Sequence, residues 1–536
     1  MVPPNARATR LSGRALGVQT RRVPVLRKLI PCLVIATLIA ACSGGDSNSS
    51  VTSTPSSSPT PSASAGLPAE RVTFYGAEAG DQAGAIVSGD FNGDGARDVV
   101  VGAALADGPD NARKDGGEVY LFLGPFQQGR SLDAGAGQYD AIFYGAVAGD
   151  NLGRTLAAGD FNHDGIDDVA MAAPAANNQA GAVYLMFGGA WPQQTDFASA
   201  DADVLLRGGA AGDFAGLAMS AGDLDSDGVY DLVIGALLAD GPQSSRADGG
   251  AVYVLRGQQL VAGDNIDLEI AAGVVYGAKA GDRLGEALTT SDANGDGKAD
   301  LILVATFSAG PEGARTAAGE TYVIDSPATF PIDLATAAPQ LEIVGADAGD
   351  QLGHSIGAGD TNGGGAADIW LGAVSADGRD NQANLAGEGV LVLGGASRTG
   401  VLDTAAEGAA ATTIYGLEPE MRVGRSAAVG DLNGDGHADM LISAPNALAR
   451  AGQVFVFFGG GAYPPNTTGA NITLAGLDAG DILGHESFGT PSLSVADVDA
   501  DGRGDVLTSA PAADGPDNNR VDCGEVYLIP GTALRG

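Results

Sequence analysis

Cysteine is almost absent: Cys32, Cys42 and Cys523 are the only three in 536 residues. This excludes a disulfide framework and leaves packing, or bound ions, to hold the fold. Histidine is as scarce, and His163, His354, His437 and His485 have no ligand spacing, so a zinc site is not expected. Basic residues are few: 28 Lys and Arg stand against 66 Asp and Glu, for a net charge of -38. Phosphate backbones need Lys and Arg, so nucleic acid is excluded as a partner class. Leu29 to Ala41 is an apolar run of 13 residues, short of the roughly 20 that a spanning helix needs. No segment has a convincing helical period, and no nucleophile elbow, P-loop or CxxC occurs.

Glycine, by contrast, is plentiful, with 84 residues and no collagen period, which implies many tight turns. Acidic residues recur in a pattern. Asp90-Phe91-Asn92-Gly93-Asp94-Gly95-Ala96-Arg97-Asp98 places oxygen side chains at loop positions 1, 3, 5 and 9 and a glycine at position 6. Hard cations such as calcium take six to eight oxygens from such a loop, and the glycine allows the sharp turn round the ion. Six more copies follow: Asp160, Asn162, Asp164, Asp168; Asp223, Asp225, Asp227, Asp231; Asp292, Asn294, Asp296, Asp300; Asp360, Asn362, Asp368; Asp431, Asn433, Asp435, Asp439; and Asp497, Asp499, Asp501, Asp505. The copy beginning at Asp360 has Gly364 at position 5 and is the doubtful one. First residues recur at intervals of 63 to 71, the signature of a repeat architecture. Calcium, in up to seven sites, is the expected cofactor, and the loops hold 22 of the 66 acids.

The N-terminus carries separate information. Arg21, Arg22, Arg27 and Lys28 precede the apolar run, which ends Leu38-Ile39-Ala40-Ala41-Cys42. This resembles a bacterial lipoprotein signal, with residues 1–41 removed and Cys42 lipidated. Ser, Thr, Pro and Gly dominate the following stretch, so residues 42–70 are expected to be a flexible tether, with nothing up to residue 68 joining a core.

From Val72 each unit has the same grammar, clearest in the second. It runs from the apolar strand Ala141–Tyr144 through a Gly-rich turn to Thr155–Gly159, a small-residue strand that enters the acidic loop. Asp168–Ala173 then reads as a buried strand, and after a variable loop comes Ala182–Phe187. Four-stranded sheets repeated radially are propeller blades, so the expected fold is an all-β, seven-bladed β-propeller over residues 71–536. The seventh unit stops after Glu525–Ile529, while residues 71–75 have no blade of their own. Strand 71–75 is therefore expected to complete the last blade and close the ring.

Tyr144-Gly145, the loop from Gly159 to Gly165, Ala172-Ala173-Pro174 and Gly181-Ala182-Val183-Tyr184, in fixed order, resemble the FG-GAP repeat of integrin α-subunit propellers and bacterial secreted proteins. Residues 71 to about 531 share the resemblance. It implies calcium in the loops between the first two strands of each blade, on the lower face, and partners on the upper face. It also implies that the position-7 carbonyls are ligands, here those of Ala96, Ile166, Val229, Lys298, Ala366, His437 and Arg503.

The expected molecule is a monomeric, non-enzymatic, lipid-anchored extracytoplasmic module of the bacterial envelope, held to the membrane through Cys42. It would bind a protein or glycan on upper loops such as Asp107–Asp115, Asp240–Pro242, Asp377–Asn381 and Asp514–Asp522. A polysaccharide-active enzyme with its site at the propeller mouth and a purely structural envelope protein are the alternatives. Arg503-Gly504-Asp505 spells an adhesion tripeptide, but Asp505 is expected to face the loop interior. The aspartates Asp81, Asp150, Asp213, Asp282, Asp350 and Asp481 are expected to stabilise turns.

Overall fold

The computed structural model describes residues 65–534, apart from 272, 311–312, 327–328, 407 and 486–491. The expected leader, Cys42 and most of the tether lie outside the described residues. Among the described residues no helix is long and apolar enough to cross a membrane.

Seven sheets form seven blades. The first runs outward from Ala85–Gly89 through Asp98–Ala103 and Glu118–Phe122 to Ala141–Tyr144, each strand antiparallel to the last. Adjacent innermost strands touch all the way round, and the first, Ala85–Gly89, meets the last, Leu493–Ala496, so the ring is closed.

The second strands explain the apolar sequence pattern. Every residue of Asp98–Ala103 is buried, because side chains alternate between two faces that are both covered. Val99 and Val101 pack with Leu507 and Val526 of the seventh blade. Val100 packs with Val169 and Met171 of the second. The hydrophobic core is thus divided into layers between neighbouring blades. Small residues permit this crowding near the axis: a Cβ on Gly159 would sit 2.7 Å from the Tyr230 ring. The glycine after each outer aromatic strand has a similar cause, since a Cβ on Gly145 would fall 2.0 Å from the Gly116 carbonyl oxygen.

Ring closure runs through the expected strand. Val72–Tyr75 pairs antiparallel with the third strand of the seventh blade, Val72 opposite Leu528 and Tyr75 opposite Glu525.

One expectation is extended and one needs correction. Each blade has the four antiparallel strands expected, and among the described residues six of the seven sheets add a fifth. The fifth is short and parallel, and comes from the connection between the third and fourth strands of the next blade. Gln194–Asp196, for example, lies along Ala141–Tyr144. It covers the outer edge that would otherwise expose unpaired backbone groups. In the sixth blade Ala65–Gly66 fills this place, paired with Leu474 and Ala475. Leu67 beside it is buried in the core between the sixth and seventh blades. Residues 65–67 therefore belong to the ring, against the expectation that nothing before residue 69 does.

Candidate metal loops

All seven acidic loops join an innermost strand to the second strand, and they share one hydrogen-bond plan. Asp90 Oδ1 accepts from the N–H groups of Gly93 at 2.8 Å and Asp94 at 3.1 Å. Its Oδ2 accepts from Gly95 N–H at 2.8 Å. The bond from position 6 to position 1 recurs at Asp160, Asp223, Asp292, Asp360, Asp431 and Asp497, at 2.7–3.0 Å. Gly95 has φ +87°, a left-handed conformation that a glycine takes without strain.

Position 9 does more than its spacing predicts. Asp98 is fully buried. It accepts from Phe91 N–H at 3.0 Å and from Gly124 N–H, past the end of the third strand, at 2.9 Å. Asp168, Asp231, Asp300, Asp368, Asp439 and Asp505 make the equivalent pairs of bonds. This aspartate fastens the loop to the blade whether or not it also reaches an ion. Burial, then the neighbouring Asp94 and Asp90 charges, push the Asp98 carboxyl up to about 6. Asp168 is pushed up to about 7 by burial and by Asp164 and Asp160.

The structure brings positions 1, 3 and 5 together where all three are acids. One oxygen from each of Asp223, Asp225 and Asp227 lies within 4.8 Å of the others, and so with Asp497, Asp499 and Asp501. Asp225 Oδ1 is buried with no hydrogen-bond partner. Such a group is costly unless something cationic meets it. In the first loop position 3 is an amide, and Asn92 Nδ2 donates to Asp94 Oδ2 at 3.0 Å. The backbone N–H groups of Ala96, Ile166, Val229, Lys298, His437 and Arg503 donate to the position-5 carboxylates at 2.8–3.0 Å.

Two loops differ. In the fifth, Asn362 Nδ2 donates to both oxygens of Asp368, at 2.9 and 2.8 Å. Its own oxygen lies 2.6 Å from where a Cβ on Gly364 would be, so the amide takes the room left by the missing side chain. In the third, Arg256 Nη1 donates to Asp231 Oδ2 at 2.6 Å and its Nε lies 3.7 Å from Asp225 Oδ2. An arginine thus balances part of the extra charge at position 3.

On the opposite face the long loops are tied down. Arg113 binds Asp196, Arg246 binds Asp333, Arg315 binds Asp403 and Arg520 binds Asp133. Each arginine lies on the loop between second and third strands and each aspartate on the fifth strand of the same blade. Sequence reasoning missed these clamps. Recurrent Leu132-Asp133, Thr195-Asp196, Ile332-Asp333 and Leu402-Asp403 was the available signal.

The turn aspartates behave as expected where their bonds are seen: Asp81 Oδ2 accepts from Glu78 N–H at 2.8 Å and Asp481 Oδ2 from Asp478 N–H at 3.1 Å. Asp505 of the Arg-Gly-Asp tripeptide is buried, as its loop position required. Cys523 is fully buried, and burial pushes its thiol up to about 12, which suits a passive packing role.

A closed ring of seven blades, each with an acidic loop between its inner strands, defines a class of repeat propeller. The FG-GAP repeat model matches residues 83–122, 152–186, 215–255, 423–457 and 489–529. Five stretches of the chain thus match the FG-GAP repeat, on a seven-bladed propeller that is similar in sequence to integrin α chains. Integrin alpha-PS2 of Drosophila melanogaster is 31% identical over 166 residues, covering 30% of this chain and 11% of the relative. Integrin alpha-PS5 of the same fly is 33% identical over 197 residues, 35% of this chain and 17% of the relative. Phosphatidylinositol-glycan-specific phospholipase D of Rattus norvegicus is 32% identical over 167 residues, 30% of this chain and 19% of the relative. The matched region is thus a minor part of each relative's length. A Bacillus licheniformis rhamnogalacturonan lyase PL11 structure aligns with TM-score 0.41 and 14% identity, over 89% of this chain and 76% of that one.

Proposed function

We propose that this chain is a calcium-loaded binding module: ions in the lower loops stiffen the ring, and the upper loops present a fixed surface to a protein or glycan. The observation that carries the metal reading is the gathered acid set of Asp223, Asp225 and Asp227 with the unpartnered Asp225 Oδ1. Hard oxygens in loose loops suit calcium better than magnesium, which prefers a rigid, water-rich octahedron. Positions 1, 3, 5 and 9, with the position-7 carbonyls, would hold the ions. Bound calcium would supply charge neutralisation, in a chain of net charge -38.

Recognition rather than catalysis is the proposed activity, because the clamped upper loops form a rigid display surface. On this reading Cys42 carries a lipid and residues 43–64 are a spacer, which places the ring outside the cytoplasm at a bacterial envelope. Differential scanning calorimetry with and without calcium tests the metal. Affinity in the extracellular range, on the order of 10⁻⁴ M, adds about 2.7 kcal/mol per site at a hundredfold excess. An unchanged melting temperature in EDTA would refute it. Palmitate labelling lost in Cys42→Ser tests the anchor; label retained in that variant would reject Cys42 as its site.

A further inference from the structure

The sixth blade breaks the repeat in three places, all on its upper rim. In the first, second, third, fifth and seventh blades the loop between second and third strands carries at least two successive left-handed residues at its tip. These are Asp110 and Asn111, Asn177 and Asn178, Gln243 and Ser244, Asp380 and Asn381, and Asp517 and Asn518. All are polar, and Asn and Asp tolerate that conformation best. The sixth blade instead has Leu448 at φ 53° and Ala449 at φ 56°. Leu448 is 48% exposed, so burial does not account for a leucine there.

The other two departures flank it. The residue after the glycine that ends each outer strand is Ala77, Ala146, Gly209, Ala278 and Ala346 in five units. At the two turns beside the sixth blade it is Leu417 and Leu477, 47% and 45% exposed. The turn of Leu477 is joined to the Leu448 loop, since the Arg450 carbonyl accepts from Gly480 N–H at 3.1 Å and Ile482 N–H at 2.9 Å. The turn of Leu417 leads into the innermost strand of the same blade. Glu418, Glu420 and Asp478 around them are exposed; Arg450 is the exposed cation beside them, while Arg422 and Arg425 of the Leu417 turn are half-buried.

We propose that this rim docks a partner protein through an amphipathic segment. Its apolar face packs on Leu417, Leu448 and Leu477, and its flanking basic side chains meet Glu418, Glu420 and Asp478. The proposal rests on the upper face being the binding face. Strain and exposed apolar area together mark a residue kept for recognition rather than for folding, and the acidic rim selects a basic partner.

The test is fluorescence anisotropy with a labelled helical Leu/Lys amphipathic peptide and an all-Lys peptide of equal charge. Leu448→Asn installs the residue type that the second blade uses, so its melting temperature should hold or rise. The same variant should weaken the Leu/Lys peptide by about tenfold or more and leave the all-Lys peptide unchanged. Leu417→Ala with Leu477→Ala should act likewise, and Val147→Thr, at a still more exposed apolar residue on the turn into the second blade, should not. Equal binding by wild type and Leu448→Asn, or an equal loss in Val147→Thr, would overturn the proposal. So would a lower melting temperature in Leu448→Asn. Leucine-dependent self-association in sedimentation would make the occupant a second copy and overturn it too. Calcium shifts measured on the same samples separate this failure from that of the metal reading.

Discussion

Removing the Phe74 side chain tests how the ring is closed. Phe74 is almost fully buried on the strand that joins the two ends of the domain. Its ring lies 4.9 Å from that of Phe122 and 5.4 Å, edge-on, from that of Phe126, both in the first blade. It therefore bonds through its backbone to the seventh blade and packs against the first. Phe→Ala in a core costs about 3–5 kcal/mol, and two aromatic neighbours put Phe74→Ala at the upper end of that range. Phe143→Ala, at the equivalent place in the first blade and also fully buried, should cost a similar amount. The two differ in where the ring loosens. Hydrogen exchange should quicken together at Val72–Tyr75 and Glu525–Ile529 in Phe74→Ala, and stay slow there in Phe143→Ala. A urea midpoint shift worth less than about 1 kcal/mol, or unchanged exchange at Val72–Tyr75, would refute closure by this strand.

Other outcomes follow from the same structure. Arg520 and Asp133 are partly buried, each about a fifth to a quarter exposed. A double-mutant cycle with Arg520→Met and Asp133→Asn should give a coupling of roughly 1 kcal/mol; a coupling near zero would show that the clamp contributes nothing. Burial, then the nearby Glu118, Glu78 and Asp107 charges, push Asp81 from 3.8 up to about 7. Its folded value lies above the unfolded one, so it adds stability below about pH 4 that is lost as pH rises toward 7. Asp81→Asn should then raise the melting temperature in EDTA at pH 8 but hardly at pH 4; an equal change at both would refute the burial account. Arg256→Met removes the guanidinium beside Asp231 and Asp225. It should lower the melting temperature in EDTA and enlarge the calcium-induced rise, as read by calorimetry; a smaller rise would contradict its role as a stand-in charge. Gly364→Asp should not simply complete the fifth loop, because Asn362 Oδ1 occupies the room; a rise in bound calcium with that single change would show the amide swings aside freely.

The acidic loops were legible because each is built from nine consecutive residues, so spacing alone states the geometry. Ring closure was legible too, since Val72–Tyr75 copies Ala141–Tyr144 and had no blade to join. The fifth strands were not. They are two to four residues long, too short for a period, and they pair with a blade other than the one that follows them. The Arg clamps were hidden for the same reason: Arg113 and Asp196 lie 83 residues apart and meet only after two blades have formed. The second role of position 9 was invisible because its partner, Gly124 N–H, lies 26 residues downstream.

The acidic loops are the proposed cation sites, one to a blade. Native mass spectrometry of the folded chain, dialysed against calcium and then against EDTA, counts the ions directly. Seven calcium ions per chain, or six with the Gly364 loop left empty, and their loss in EDTA would bear this out; a folded chain that holds none at millimolar calcium would contradict it.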